Sequence, residues 1–195
     1  MGAFLKLIDE LKTIPKEALL VTFDVKDLYT SIPNTEGITS VRTLLTTSNM
    51  DPEQINICCK LFSIILTKNF FLFEDQFYLQ IRGTAMGSNA APPYANCYLA
   101  DYENSTIYIN DLFCTHAIVW KRYIDDIFCI WNGPQETLET FFEFLKTSWP
   151  GLDFTMTYDP NKVNFLDTIV IKNDQGELYR SFHKTNRSKQ PPSLR

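Results

Sequence analysis

Several of the residues that usually identify a protein quickly are scarce or absent in this sequence. Histidine occurs only at His116 and His183, too isolated to support a zinc site. Cysteine occurs five times (Cys58, Cys59, Cys97, Cys114, Cys129), an odd count without a Cys-x-x-Cys pair. Most of these thiols have apolar neighbours, which predicts reduced, buried cysteines in an intracellular protein, nuclear or cytoplasmic and not secreted. No apolar run approaches the roughly 20 residues that span a bilayer, so no membrane partner is expected. The segment from Met1 to Pro15 is amphipathic and carries acids, which suits neither a signal nor a transit peptide. Repeats, low-complexity tracts and Gly/Ser linkers are all missing. A positive charge excess is missing too, since the formal net charge is −5.

What is present is core material. Residues of hydrophobic type make up 45% of the 195, with fifteen Phe and nine Tyr among them. A chain of this length buries about 70% of its unfolded surface. The reading is one α+β domain over 1–195, with 1–18 a short helical lead-in and 185–195 a basic, flexible tail. Periodicity places helices at 2–13, 36–47 and 135–147, and another from Asp51, with Pro52 at its first position. A helix over 90–108 follows a glycine-flanked loop, Gly83 to Ser88. Strands are expected at 19–25, in hairpins 69–73/76–81 and 117–123/126–131, and near 152–158, 163–172 and 176–183. Hairpins alternating with helices predict an antiparallel sheet with helices packed on one face.

Three blocks carry chemistry. In Tyr123-Ile124-Asp125-Asp126 two adjacent carboxylates lie between strand-forming runs. They either reach water at a hairpin tip or hold a hard divalent cation, since buried carboxylates are costly when nothing neutralises them. Asp24 ends an apolar strand, and Asp27 follows where a carboxylate would cap the turn. Asp24 and the Asp125-Asp126 pair on neighbouring strands could hold two magnesium ions about 4 Å apart, an arrangement suited to phosphoryl transfer. The third block, Gly83-Thr84-Ala85-Met86-Gly87-Ser88, allows close approach to the backbone but lacks the Gly-Lys-Ser/Thr of a P-loop.

Together these blocks resemble a family. Phe23-Asp24-Val25-Lys26-Asp27-Leu28-Tyr29-Thr30-Ser31-Ile32-Pro33 is similar to motif A of reverse transcriptases. Gly83–Ser88 with Ala95-Asn96-Cys97-Tyr98-Leu99 is similar to motif B, and Tyr123–Asp126 to motif C. The wording of the Gly-Thr-Ala-Met-Gly-Ser block and of Asn164-Phe165-Leu166-Asp167-Thr168-Ile169 resembles the Penelope-like retroelement branch. The resemblance runs from about Leu19 to Lys184 and implies the palm of an RNA-directed DNA polymerase. Its implied partners are an RNA or DNA template with a primer strand, and deoxynucleoside triphosphates. The implied cofactor is magnesium, or manganese in its place.

The resemblance also assigns residues. Asp24, Asp125 and Asp126 are the implied catalytic metal ligands, with the Val25 carbonyl assisting. Tyr29, Met86 and Gly87 are the implied nucleotide contacts, and Tyr29 stands where a bulky side chain rejects the ribonucleotide 2′-hydroxyl. Tyr29 could equally be an aromatic packed under the turn. Tyr123 and Gly83 would lie near primer and template. Met86 replaces the glutamine of many relatives, and Asn89-Ala90-Ala91 departs from the usual loop ending. No recognisable fingers block precedes motif A, and neither a full thumb nor a GIY-YIG endonuclease domain follows. The expectation is an excerpt or a truncated copy, weakly active or inactive by itself; a non-catalytic remnant or a two-metal nuclease are the competing readings. The acid count includes the metal ligands, while Arg180, Lys184, Arg187, Lys189 and Arg195 make the end of the chain basic. Lys162 and Lys172 are candidate proton donors to pyrophosphate, with nothing to choose between them.

Overall fold

The strand β1 (Leu19–Val25) is apolar at every position except Thr22 and Asp24, as befits a strand covered on both faces. A computed structural model, which describes residues 2–85 and 87–182 (the side chains of Gly2 and Ala3 excepted), places it inside a four-stranded antiparallel sheet. The other strands are β4 (Ala117–Tyr123), β5 (Asp126–Trp131) and β6 (Phe154–Asp159), counting β2 (Phe70–Phe73) and β3 (Gln76–Leu79) as a separate hairpin. The order is β4-β5-β1-β6. Met86 and the 185–195 tail lie outside the described residues.

Period-two alternation sorts the side chains of β1 and β5 to two cores. Val21, Phe23, Val25, Ile127, Cys129 and Trp131 face one side. There they meet α3 (Asn34–Thr47), α5 (Ala91–Tyr102) and α7 (Gln135–Ser148), with α4 (Pro52–Thr67) further out. The helical layer expected from the sequence is this one, built around Tyr94, Tyr98, Tyr102 and Phe141. Leu20, Phe128 and Ile130 face the opposite side, which is also covered. Its cover is α1 (Gly2–Leu11) and a second sheet of β7 (Lys162–Phe165), β8 (Thr168–Lys172) and β9 (Leu178–Phe182). Phe4 packs edge-on to Phe128 at 5.2 Å between centroids and lies 4.6 Å from Phe165.

The lead-in is helical only to Leu11 and then extended, its Ile14 N–H donating to the Gly176 carbonyl at 2.8 Å. The span 163–172 is two strands, because Leu166 turns the chain with φ 53° and Asp167 completes the turn. The helix expected over 90–108 stays α-helical to Tyr102 and continues as one π-helical turn, Glu103–Ile107, closed by Tyr108 N–H to the Glu103 carbonyl at 2.9 Å. Two short helices, α2 (Leu28–Ser31) and α6 (Asp111–His116), occupy stretches read as turn or left unassigned. Asp51 caps α4 as expected, accepting from the Glu53 and Gln54 N–H groups. Among the described residues all five cysteines are free thiols, and no helix is long and apolar enough to cross a membrane.

The hairpin β2–β3 behaves differently from the rest. Phe71 pairs with Tyr78 on one face, and Phe70 with Leu79 and Leu72 with Phe77 on the other. Every one of its eight strand residues is exposed, so the ribbon is apolar on both faces and covered on neither.

The helical core depends on Phe141, which is fully buried and stacked on Trp131 at 5.2 Å. Phe141→Ala is expected to cost about 3–5 kcal/mol, read as a lower denaturant midpoint at unchanged slope.

Candidate active site

Strand register brings the first two acids together. Asp24 lies directly opposite Asp126 across the β1–β5 ladder, and Thr155 of β6 lies on Asp24's other flank. Residues opposite one another in an antiparallel pair project to the same face with Cβ atoms about 4.5–5.5 Å apart. By alternation that face is the one shared with Phe128 and Ile130, whose cover by α1 and the small sheet ends before the acids. Phe128 is fully buried, whereas Asp126, two residues earlier, is half-buried and Asp24 is exposed. The sheet thus holds two carboxylates side by side where its second core gives way to solvent.

Asp125 joins them from the hairpin tip. Tyr123 pairs with Asp126, leaving Ile124 and Asp125 as a two-residue turn. Ile124 adopts φ 57°, a conformation that costs a β-branched residue of order 1–3 kcal/mol. The Asp125 carbonyl accepts the Val25 N–H at 3.2 Å, which fastens the turn to the end of β1. In a strand the N–H and C=O of one residue point the same way, so the Val25 carbonyl also faces the hairpin.

Electrostatics tie the acids together. Burial and then the Asp125 charge hold both the Asp24 and the Asp126 carboxyls above their usual range. Asp24 also raises Asp126, while Lys26 pulls Asp24 back down. Lys26 itself pairs with Asp153 at 2.9 Å. Tyr29, half-buried on α2, has its phenol pushed up by burial, by Asp125 and by the exposed Tyr123. Five of the residues singled out from the sequence therefore share one end of the sheet. As they stand, no three His, Cys, Asp or Glu side chains among the described residues converge closely enough to hold one ion. An all-oxygen carboxylate set is the donor chemistry that fits a hard divalent cation.

The Gly83–Ser88 loop packs onto the same region. Gly83 is buried at φ 71°, and a Cβ there would sit 2.5 Å from the Tyr29 carbonyl. The Thr84 N–H donates to that carbonyl at 2.7 Å, and Arg82 donates through Nε and Nη2 to the Ser31 carbonyl. Gly83 therefore has a packing role beneath Tyr29, one that no local pattern in the sequence announces. Gly87 is exposed, with φ 93° and open space where a Cβ would be. Met86 falls outside the described residues.

Other expectations change. The Asp27 carboxylate makes no capping bond; instead Asp27 takes φ 48°, and its carbonyl accepts from Thr30 and Ser31. Lys172 is buried against the Lys16 and Ala18 carbonyls at the start of β1, about 20 Å along the strand from Asp24. Lys162 sits at the end of β7 away from the Leu166 turn. Lys172 is committed by those two carbonyls to the far end of β1 from the carboxylates. Lys26 and Arg82, which the structure ties to the site, had no motif signal beyond their neighbours.

No protein-family model and no curated protein matches the sequence. Solved structures do match the fold. Telomerase from Candida albicans, in complex with a fragment of telomeric RNA, aligns over 92% of this chain with a TM-score of 0.68 at 11% identity. Apo telomerase from Candida tropicalis aligns over 91% with a TM-score of 0.67 at 14% identity. The RNA-dependent RNA polymerase of a human picobirnavirus aligns over 86%, with a TM-score of 0.60 and 14% identity. The chain spans 34%, 34% and 31% of those proteins, about a third of each. The fold is that of a right-hand polymerase palm.

The raised carboxyls make a signed prediction. A carboxyl whose folded pKa exceeds its unfolded value costs nothing at low pH and destabilises the fold as pH rises through that interval. Asp126→Asn is therefore expected to raise the thermal midpoint of the metal-free protein at pH 7. The gain should shrink as pH falls and vanish below about 3.8, the ordinary value for the group.

Proposed function

We propose that this chain is the palm of an RNA-directed DNA polymerase that adds deoxynucleotides to a primer 3′ end, related to the Penelope-like retroelements. The observation that carries the reading is the Asp24–Asp126 register with Asp125 at the adjoining turn. The palm fold and the three motif blocks, in order along the chain, support it. In this reading Asp24 and Asp125 hold magnesium with the Val25 carbonyl, and Asp126 lies beside them. Bound there, two ions would lower the pKa of the primer hydroxyl and offset charge on the departing pyrophosphate.

The chain's own residues do the positioning. The β1–β5 ladder fixes the spacing of the carboxylates, and the Val25–Asp125 hydrogen bond fixes the height of the turn. Tyr29, whose backbone carbonyl accepts the Thr84 N–H above Gly83, would set its ring beside the carboxylates and exclude a 2′-hydroxyl. Tyr123 is exposed on the hairpin and would face the primer end. Met86 and Gly87 would border the nucleotide. The work assigned is intracellular, in nucleus or cytoplasm, on an RNA or DNA template–primer.

Manganese or magnesium binding, followed by calorimetry with a template–primer duplex present, is the direct test. Asp24→Asn/Asp125→Asn should weaken it at least about tenfold, because both first ligands are lost. Equal binding by the two proteins would reject a working site and favour a remnant that binds nucleic acid or protein without catalysis. Under the same conditions Tyr29→Ala should narrow the preference for deoxy- over ribonucleoside triphosphate by about tenfold, the scale of one lost steric contact.

A further inference from the structure

Arg122 stands just before the hairpin tip in β4, yet its side chain turns away from the acids. Its Nε and Nη2 donate to the two Glu103 carboxylate oxygens at 2.9 and 3.0 Å, a bidentate pair. Its Nη1 donates to Asn96 Oδ1 at 2.7 Å and to the Ile124 carbonyl at 3.3 Å. Trp120 Nε1 donates to the same Glu103 at 2.9 Å. Both ionic side chains are nearly out of water, with relative exposures of 12% and 10%.

Glu103 opens the π-helical turn at the end of α5, and π-turns of this kind occur often at functional sites. One guanidinium therefore joins three elements: the motif B helix through Asn96, the π-turn through Glu103, and the motif C tip through Ile124. The tip needs such a tie. Ile124 sits at a positive φ, and a strained residue persists only where its surroundings over-determine it. The Ile124 carbonyl belongs to the peptide that leads into Asp125, so whatever holds that carbonyl sets the orientation of the Asp125 backbone.

We infer that Arg122 is a positioning residue: anchored on Glu103, it holds the strained Ile124–Asp125 turn in place and so fixes Asp125 relative to Asp24. A merely structural ion pair would serve equally well as an uncharged pair of similar size, since such replacements are often neutral in stability. A clamp would not, because the bond to the Ile124 carbonyl would be gone. The role assigned to Asp125 rests on the polymerase reading; the clamp on the turn does not.

The test is amide hydrogen exchange on the full metal-free chain, comparing wild type with Arg122→Met/Glu103→Gln. The amide oxygen that replaces the carboxylate still accepts from Trp120, so this variant removes the clamp and leaves no buried charge unpaired. Arg122→Lys is the second variant, because an ammonium keeps the charge but cannot span both Glu103 oxygens and the Ile124 carbonyl. The Val25 N–H, which donates to Asp125, is the reporter, and the β8–β9 pairing is the internal reference. Exchange at Val25 and over 121–128 should quicken about tenfold in both variants, with β8–β9 unchanged. Wild-type rates at Val25 in both variants, or a uniform rise including β8–β9, would overturn the inference. In a parallel titration, manganese affinity should fall with the loosened turn. A wild-type chain that binds no manganese would defeat the polymerase reading, while exchange would still decide the clamp.

Discussion

The register of β1 against β5 is the constraint on which the site depends. Its six paired positions set Asp24 opposite Asp126 and, in the same stroke, send Phe23 and Ile127 to the helical core. A slip of one residue would exchange the faces, putting a carboxylate under α5 and α7 and sending the apolar residues of the slipped strand to the wrong core. Because both faces of these strands are buried along most of their length, the two hydrophobic cores police the register of the acids. The juxtaposition of Asp24 and Asp126 is here a by-product of packing, at the pleat where packing stops.

The site is also where the fold spends stability. Two carboxyls are desolvated beside a third, and a β-branched residue is held in the left-handed region. Neighbouring structure compensates through short-range ties: Val25 to Asp125, Thr84 to Tyr29, Arg82 to Ser31, Arg122 to Ile124. Each tie joins two of the three motif blocks or fastens a block to its own strand end. The blocks, separated by dozens of residues in sequence, form one hydrogen-bonded unit in space.

Much of this was legible beforehand. The strands flanking Ile124-Asp125, the capped start at Asp51-Pro52, the helix over 135–147, and the neighbouring strands that carry Asp24 and Asp126 all follow from period, capping and motif. What escaped had no local signal. Leu166-Asp167 turns the chain without glycine, asparagine or proline, so 163–172 read as one strand. The π-turn at Glu103 lies in a polar stretch compatible with a continuing helix, and only its partner Arg122, nineteen residues on, explains it. The close approach of Gly83 to the backbone of Tyr29 and Thr30 likewise has no local signature in the sequence. Asp27 looked like a cap and instead supplies its carbonyl.

The β2–β3 ribbon has a consequence of another kind. Its edges carry no lysine and no proline, its strands have no charge, and Glu74 and Asp75 at the tip are its nearest formal charges. Such an edge is an open template for further strands. The eight strand residues are exposed, so a strand added at this edge would meet apolar side chains on both faces.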